Sequence, residues 1–238
     1  MPGLSPRLST IPRTSGRRFE MALGSNQMSA TNVARRTTPL AGLLPAHKAP
    51  GTAGNIVLDC TSGERFGLRG LGAAEWLSAQ GVALPEKVNT VLTLPDGTSV
   101  LRLGQQDMLL TAPAGGNGSR VRELRAAWRA SDMVAKGYDA YRDEGWAWFI
   151  VSGKDAALLM ARLSMADFRA QALKVGQVAQ TRALHQDAVI ARLDRFGALS
   201  YDIFVDIASS QFVLDVLLAT TAEIDADFRL EELRASDE

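Results

Sequence analysis

The sequence predicts an α+β fold of two small lobes, each with a mostly antiparallel sheet and packed helices. Three observations predict it. Short apolar runs alternate with turn residues through most of the chain, as strands do. Hairpin signals recur too often for a doubly wound parallel sheet. The same order of strands, helix, strands and helix appears twice.

The first half begins with strands over 56–59 and 65–68, separated by the turn Thr61-Ser62-Gly63. A helix over 73–80 follows, with Gly81 as its stop. Ala73, Trp76, Leu77 and Gln80 share a face of it, so Trp76 and Leu77 are expected on the sheet. Strands at 90–94 and 99–103 flank Pro95-Asp96-Gly97-Thr98, where Pro presets φ and Gly supplies φ > 0. A third strand at 108–111 leads through a Gly-rich loop to a helix over 121–130, with Val121, Leu124 and Trp128 on one side.

The second half opens with 146–152, apolar on both faces and therefore central in its sheet. A helix over 156–163 follows, then strands at 178–183, 188–193 and 199–205. Ser209 or Ser210 caps a last helix with the stripe Phe212, Val213, Val216 and Leu217. The two halves read as ferredoxin-like. The expected organisation is an arm at 1–38, lobes at 39–145 and 146–222, and an acidic tail at 223–238.

Of 238 residues, 26 are Lys or Arg and 26 are Asp or Glu, so the formal net charge is zero. The balance conceals an asymmetry: residues 1–50 hold seven basic residues against Glu20 alone, and the remainder is net acidic. The basic residues are scattered among Ser, Thr, Pro and Gly without interleaved aromatics, which favours a disordered arm over a nucleic-acid or membrane contact. A transit peptide and a tail that orders on a partner are the other readings. Arg-rich, Ala-rich composition fits a GC-rich bacterial genome, in which starts are easily assigned too far upstream. Translation from Met21 or Met28 is therefore expected, with residues 1–28 dispensable for solubility and assembly.

No apolar run approaches the roughly 18 residues of a membrane span. One cysteine, Cys60, excludes an internal disulfide framework and Cys-rich metal sites, and two histidines exclude most His-rich ones. Gly70 and Gly72 begin a dinucleotide-like turn, but the third glycine position holds Glu75, whose charge would repel a pyrophosphate. Tight packing of helix on strand is the expected reason for these glycines. Gly115-Gly116-Asn117-Gly118 lacks the Lys-Ser/Thr of a Walker loop, and there is no nucleophile elbow. Cys60 reads as a buried small hydrophobe. His185 and Asp187 are expected on one face with a local hydrogen bond, and Asp187, Asp194, Asp202 and Asp206 as solvated carboxylates. Trp146 and Trp148 point to the same side of one strand and read as core. No catalytic, cofactor-binding or metal-ligating residue emerges.

Several segments in order resemble the gamma subunit of heterotetrameric sarcosine oxidase: Thr38–Leu43, Gly72–Gly81, Leu103–Leu110, Trp148 with Val151-Ser152-Gly153, and Ala166–Arg169. The most specific is Val178-Ala179-Gln180-Thr181-Arg182-Ala183-Leu184-His185, and Phe204–Phe212 closes the match. The resemblance implies an aminomethyltransferase-like fold and a non-catalytic cytoplasmic subunit of a bacterial oxidase. That complex demethylates sarcosine to glycine, yielding hydrogen peroxide and, with tetrahydrofolate, methylenetetrahydrofolate. FAD, FMN, NAD and tetrahydrofolate belong to the complex, none of them to this chain. The partners are alpha, beta and delta subunits, chiefly alpha; neither nucleic acid nor membrane is one. Thr181, Arg182 and His185 are the candidate partner contacts, because the segment is family-specific yet carries no recognisable chemistry. Alternatively, Arg182 is a solvated strand residue and His185 closes a local turn.

A second resemblance is to folate-binding aminomethyltransferase-like proteins of tRNA modification or iron–sulfur maintenance. Their Lys-Gly-Cys-Tyr/Phe-x-Gly-Gln-Glu hallmark has its nearest counterpart in Lys174–Thr181, which lacks the cysteine.

Overall fold

A computed structural model describes residues 36–47, 54–132 and 137–234. Eleven strands and five helices follow one another as β1 (Asn55–Asp59), β2 (Arg65–Arg69), α1 (Ala73–Ala79), β3 (Thr90–Thr93), β4 (Ser99–Gly104), β5 (Asp107–Thr111), α2 (Ser119–Arg129), β6 (Tyr138–Asp139), α3 (Arg142–Gly145), β7 (Trp146–Ser152), α4 (Ala156–Leu163), β8 (Val178–Ala183), β9 (Gln186–Arg192), β10 (Ser200–Asp206), α5 (Ser210–Glu223) and β11 (Phe228–Glu232).

The strands form a six-stranded sheet, β11-β1-β7-β10-β9-β8, and a five-stranded sheet, β3-β4-β5-β2-β6. Every named pair is antiparallel except β1 with β11. The two sheets repeat one plan. In the first, β2, β5, β4 and β3 lie side by side, with β6 on the far flank of β2. In the second, β7, β10, β9 and β8 take the same places, and β11 takes the place of β6. The difference is β1, which inserts between β7 and β11.

That insertion corrects two expectations. β1 and β2 are adjacent in sequence but join different sheets, so the Thr61-Ser62-Gly63 turn carries the chain from one sheet to the other. The boundary at 145 therefore assigns β1 to the wrong lobe. The expected acidic tail holds β11, an edge strand paired with β1 from Asn55↔Phe228 to Asp59↔Glu232. Its alternating Phe228 and Leu230 pack on the core, while Arg229 stays in solvent.

Strand alternation builds three layers of core. In β7, Ala147, Phe149 and Val151 face α4 and α5, meeting Leu159, Met160, Leu163, Val213, Leu214 and Leu217. Trp148 and Ile150 face the other sheet and meet Ile56, Leu101, Leu109 and Phe204. On the outer face of the five-stranded sheet, Phe66, Leu68, Met108 and Leu110 pack on Trp76 and Leu77 of α1 and Val121 and Leu124 of α2. The order is thus helices, sheet, sheet, helices. Phe212, expected in the buried stripe of α5, is 48% exposed, and Leu214 is buried in its stead.

The segment before β1 is anchored as well. Leu40 is buried, Thr38 donates to the Asp59 carboxylate, and Arg36 pairs with Asp143 at 2.8 Å. Arg36–Thr38 therefore does not belong to a disordered arm; the rest of that arm lies outside the described residues. Among the described residues no helix is long and apolar enough to cross a membrane.

Candidate functional site

The face of the six-stranded sheet that meets the five-stranded sheet extends past it at one end, leaving a cleft of about 580 Å3. Pairing explains its floor. Phe204 lies opposite Val189, Asp206 opposite Trp146, and Arg182 opposite Asp187, so these side chains emerge on one face. Arg69 of β2, Asp107 of β5 and Arg142 of α3 form the opposing wall.

Arg142 is the most constrained of these. Its Nη2 donates to Asp107 Oδ2 at 2.8 Å and its Nη1 to the Met108 carbonyl at 3.2 Å. Its guanidinium carbon sits 4.6 Å from the Trp146 ring centroid, a cation–π contact. The side chain crosses β2 over Gly67, where an added Cβ would lie 2.8 Å from Arg142 Cγ and Cδ. The glycines of this region thus have other roles than helix-on-strand packing. Gly67 admits Arg142, while Gly70 and Gly72 take φ of 107° and 84° in the turn before α1. The start of α1 is capped by Gln106, whose Oε1 accepts from the Ala74 N–H and whose Nε2 donates to Glu75.

Two buried charged networks lie outside the cleft lining. Arg65 is fully buried and donates to the carbonyls of Thr61, Gly63, Asp143 and Trp146 at 2.9–3.0 Å, tying the β1–β2 crossing to the start of β7. Burial lowers its pKa to about 10, with Arg36 adding to the shift, so it stays charged at neutral pH. Arg195 grips Asp202 with two bonds of 2.8 and 2.9 Å, and Asp202 also accepts from Trp148 Nε1 at 3.0 Å. Asp202, expected in solvent, is 1% exposed. Strand alternation alone does not reveal that Arg195 folds back across the β9–β10 connection to meet it. Asp194 is held by Arg192, whose hydrogen bonds lower the carboxyl pKa. Asp187 and Asp206 are exposed.

Thr181 and Arg182 both line the cleft. His185 does not. It occupies a two-residue turn with Leu184, at φ of 62° and 52°, and its ring lies 6.1 Å from that of Phe212 on α5. A turn residue follows no strand alternation, so His185 makes no hydrogen bond with Asp187. Arg182 links the two ends of the segment, donating from Nη2 to the His185 carbonyl at 2.9 Å. The two tryptophans part company: Trp148 is buried against Phe204, whereas Trp146 is half-buried and lines the cleft. Arg69, Asp107, Arg142 and Phe204 complete the cleft without any sequence signal beyond Gly67, a gap in an otherwise apolar strand.

Cys60 is buried, and burial raises its thiol pKa well above normal, with Asp202 and Asp59 adding to the rise. Burial thus disfavours the thiolate, the form in which a cysteine acts as a nucleophile. Among the described residues no group of three or more His, Cys, Asp or Glu is placed to hold a metal ion.

No family model and no curated protein matches the chain. Among solved structures it is similar to the heterotetrameric sarcosine oxidase of Corynebacterium sp. U-96, solved in complex with pyrrole 2-carboxylate. The TM-score is 0.63 and the identity 23%, over 81% of this chain and 97% of that one. It is also similar to the glycine cleavage system aminomethyltransferase T of Bartonella henselae, with a TM-score of 0.54 and 19% identity, over 77% of this chain and 49% of that one. The fold is therefore α+β and aminomethyltransferase-like.

Proposed function

We propose that this chain is the non-catalytic gamma subunit of a heterotetrameric sarcosine oxidase. The observation that carries the reading is the extent of the fold match. It takes in 97% of a chain of such an oxidase but only 49% of the aminomethyltransferase. The order of sequence segments resembling the gamma subunit supports it. In this reading the chain contributes architecture. The complex oxidatively demethylates sarcosine, and FAD, FMN, NAD and tetrahydrofolate sit on the other subunits. Alpha is the principal partner, and Thr181 and Arg182 contribute to that contact.

The test is reconstitution. The full chain purified alone should show no flavin absorbance and no sarcosine-dependent peroxide formation. Co-expressed with alpha-, beta- and delta-like subunits, it should enter a stable complex that oxidises sarcosine. A chain that forms no complex with an alpha-like subunit sinks the proposal.

A second reading, a folate-binding aminomethyltransferase-like protein, is favoured by the cleft itself. Its volume lies within the range of small-molecule sites, and Trp146 and Phe204 lie beside three arginines. Titration of the isolated chain with tetrahydrofolate separates the two. Saturable quenching of tryptophan fluorescence supports the second reading, and its absence the first.

A further inference from the structure

Among the described residues each edge of the six-stranded sheet is covered only in part. At the β11 edge the cover falls on the last residue: Ala46 bridges Glu232, His47 N–H donates to the Glu232 carbonyl at 2.8 Å, and the Glu232 N–H to Pro45 at 2.8 Å. Open strand edges invite pairing, and proteins usually block them. The β8 edge is blocked only at its ends. Val178 N–H donates to Asn89 at 2.9 Å, and Ser164 bridges Ala183 while its Oγ donates to the Arg182 carbonyl at 2.8 Å.

Register decides which groups between those ends are open. The β8–β9 hairpin closes on two left-handed residues, Leu184 and His185, so Ala183 and Gln186 exchange backbone bonds. Thr181 with Ala188 and Ala179 with Ile190 follow in the same phase. Val178, Gln180 and Arg182 then aim their backbone groups away from β9, and the outward bond of Val178 to Asn89 agrees with that phase. Among the described residues the Val178 carbonyl, both backbone groups of Gln180 and the Arg182 N–H have no backbone partner. They form an alternating row of acceptor and donor at strand spacing, which matches another main chain.

The neighbouring charges specify what that main chain carries. Arg182 is 3.8 Å from Asp187 and Arg69 is 3.6 Å from Asp107, both beyond a good hydrogen bond. Their side chains are mostly exposed; Arg182 keeps one Nη2 bond to its own His185 carbonyl at 2.9 Å, and its other N–H groups, like the Arg69 fork, are open to a carboxylate. We propose that the open stretch Val178–Arg182 takes up a short extended segment of the alpha-like partner as an added strand, with an acidic side chain of that segment held by Arg182. This rests on the assembly role proposed above and names its docking element.

Amide hydrogen exchange of the full chain, free and in complex with the co-expressed alpha-like subunit, tests it. In the free chain the Gln180 and Arg182 amides exchange fast, while Thr181, bonded to β9, exchanges slowly. In the complex the first two slow by at least about tenfold. Protection of Gln180 and Arg182 in the free chain, or no change in a complex that forms, overturns the docking proposal and leaves the assembly role standing. Failure to form a complex overturns both. Gln180→Pro, set against Gln180→Ala, adds a second readout: both lose the side-chain bonds of Gln180 to Asn89 and the Leu103 carbonyl at 2.7 Å, but only the proline removes the outward N–H, and it spares the β9 ladder. With the melting curves of the two variants alike, the proline variant should lose co-purification and the alanine variant keep it. Undiminished co-purification of the proline variant also overturns the proposal.

Discussion

Arg142 crosses β2 at the one point where that strand has no side chain: a Cβ on Gly67 would stand 2.8 Å from Arg142 Cγ and Cδ. The arginine cannot simply swing aside, because Asp107 holds its guanidinium and Trp146 lies under it. Gly67→Ala should therefore cost about 1–3 kcal/mol, as overpacking does. At about 2–4 °C per kcal/mol for a domain of this size, the melting temperature should fall measurably. An unchanged melting curve would mean that Arg142 is not fixed by its neighbours.

The buried Arg195–Asp202 pair makes an opposite demand. Asp202→Ala leaves the Arg195 guanidinium and Trp148 Nε1 without their acceptor. Removing one partner of a buried pair costs about 3–5 kcal/mol, whereas replacing both with apolar residues is often neutral. Urea denaturation should show a large loss for Asp202→Ala and substantial recovery in Arg195→Met with Asp202→Leu. Equal losses in the two proteins would argue that the pair is stabilising in its own right.

These two sites show where sequence reasoning reaches and where it stops. The unbroken apolar run of β7 and the turn at Pro95–Gly97 are local, and the elements they predict are present. β1 is just as legible as a strand, but its sheet is chosen by pairing with β7 and β11, which lie far along the chain. β11 was hidden because Glu231 and Glu232 give it the composition of a solvated tail. In the site, the sequence groups Thr181, Arg182 and His185; the first two line the cleft, and His185 lies in the turn beyond it. It does not group Arg142 with Trp146, since their meeting depends on a gap left by a glycine in another strand.

Tyr201 gives the fold an alkaline limit. It is buried, its hydroxyl donates to the Phe168 carbonyl, and burial pushes its pKa from 10.0 up to about 12. The neutral phenol is the form the fold favours. Stability from this group is thus fully present below the unfolded value near pH 10 and is lost as pH rises from about 10 to about 12. Tyr201→Phe should be less stable at pH 7, for want of the hydrogen bond, but should lose less further stability over that window. Parallel pH profiles of the two proteins would disprove the assignment.

Arg182 offers the sharpest separation of assembly from folding. Its side chain is 73% exposed, and its contacts in the chain are the His185 carbonyl and a 3.8 Å approach to Asp187. Arg182→Glu should therefore shift the stability of the free chain by no more than about 0.5 kcal/mol, the usual range for a surface change. At a partner contact the effect is of another size. Reversing a charge that meets a carboxylate in a desolvated interface should cost about 2–5 kcal/mol of binding, roughly 30- to 5,000-fold in affinity. Co-purification with a tagged alpha-like subunit reads the binding, and a melting curve of the free variant reads the fold. Loss of the complex with the fold intact supports Arg182 as a contact. If the variant co-purifies undiminished, Arg182 is a solvated strand residue and the partner docks on another surface.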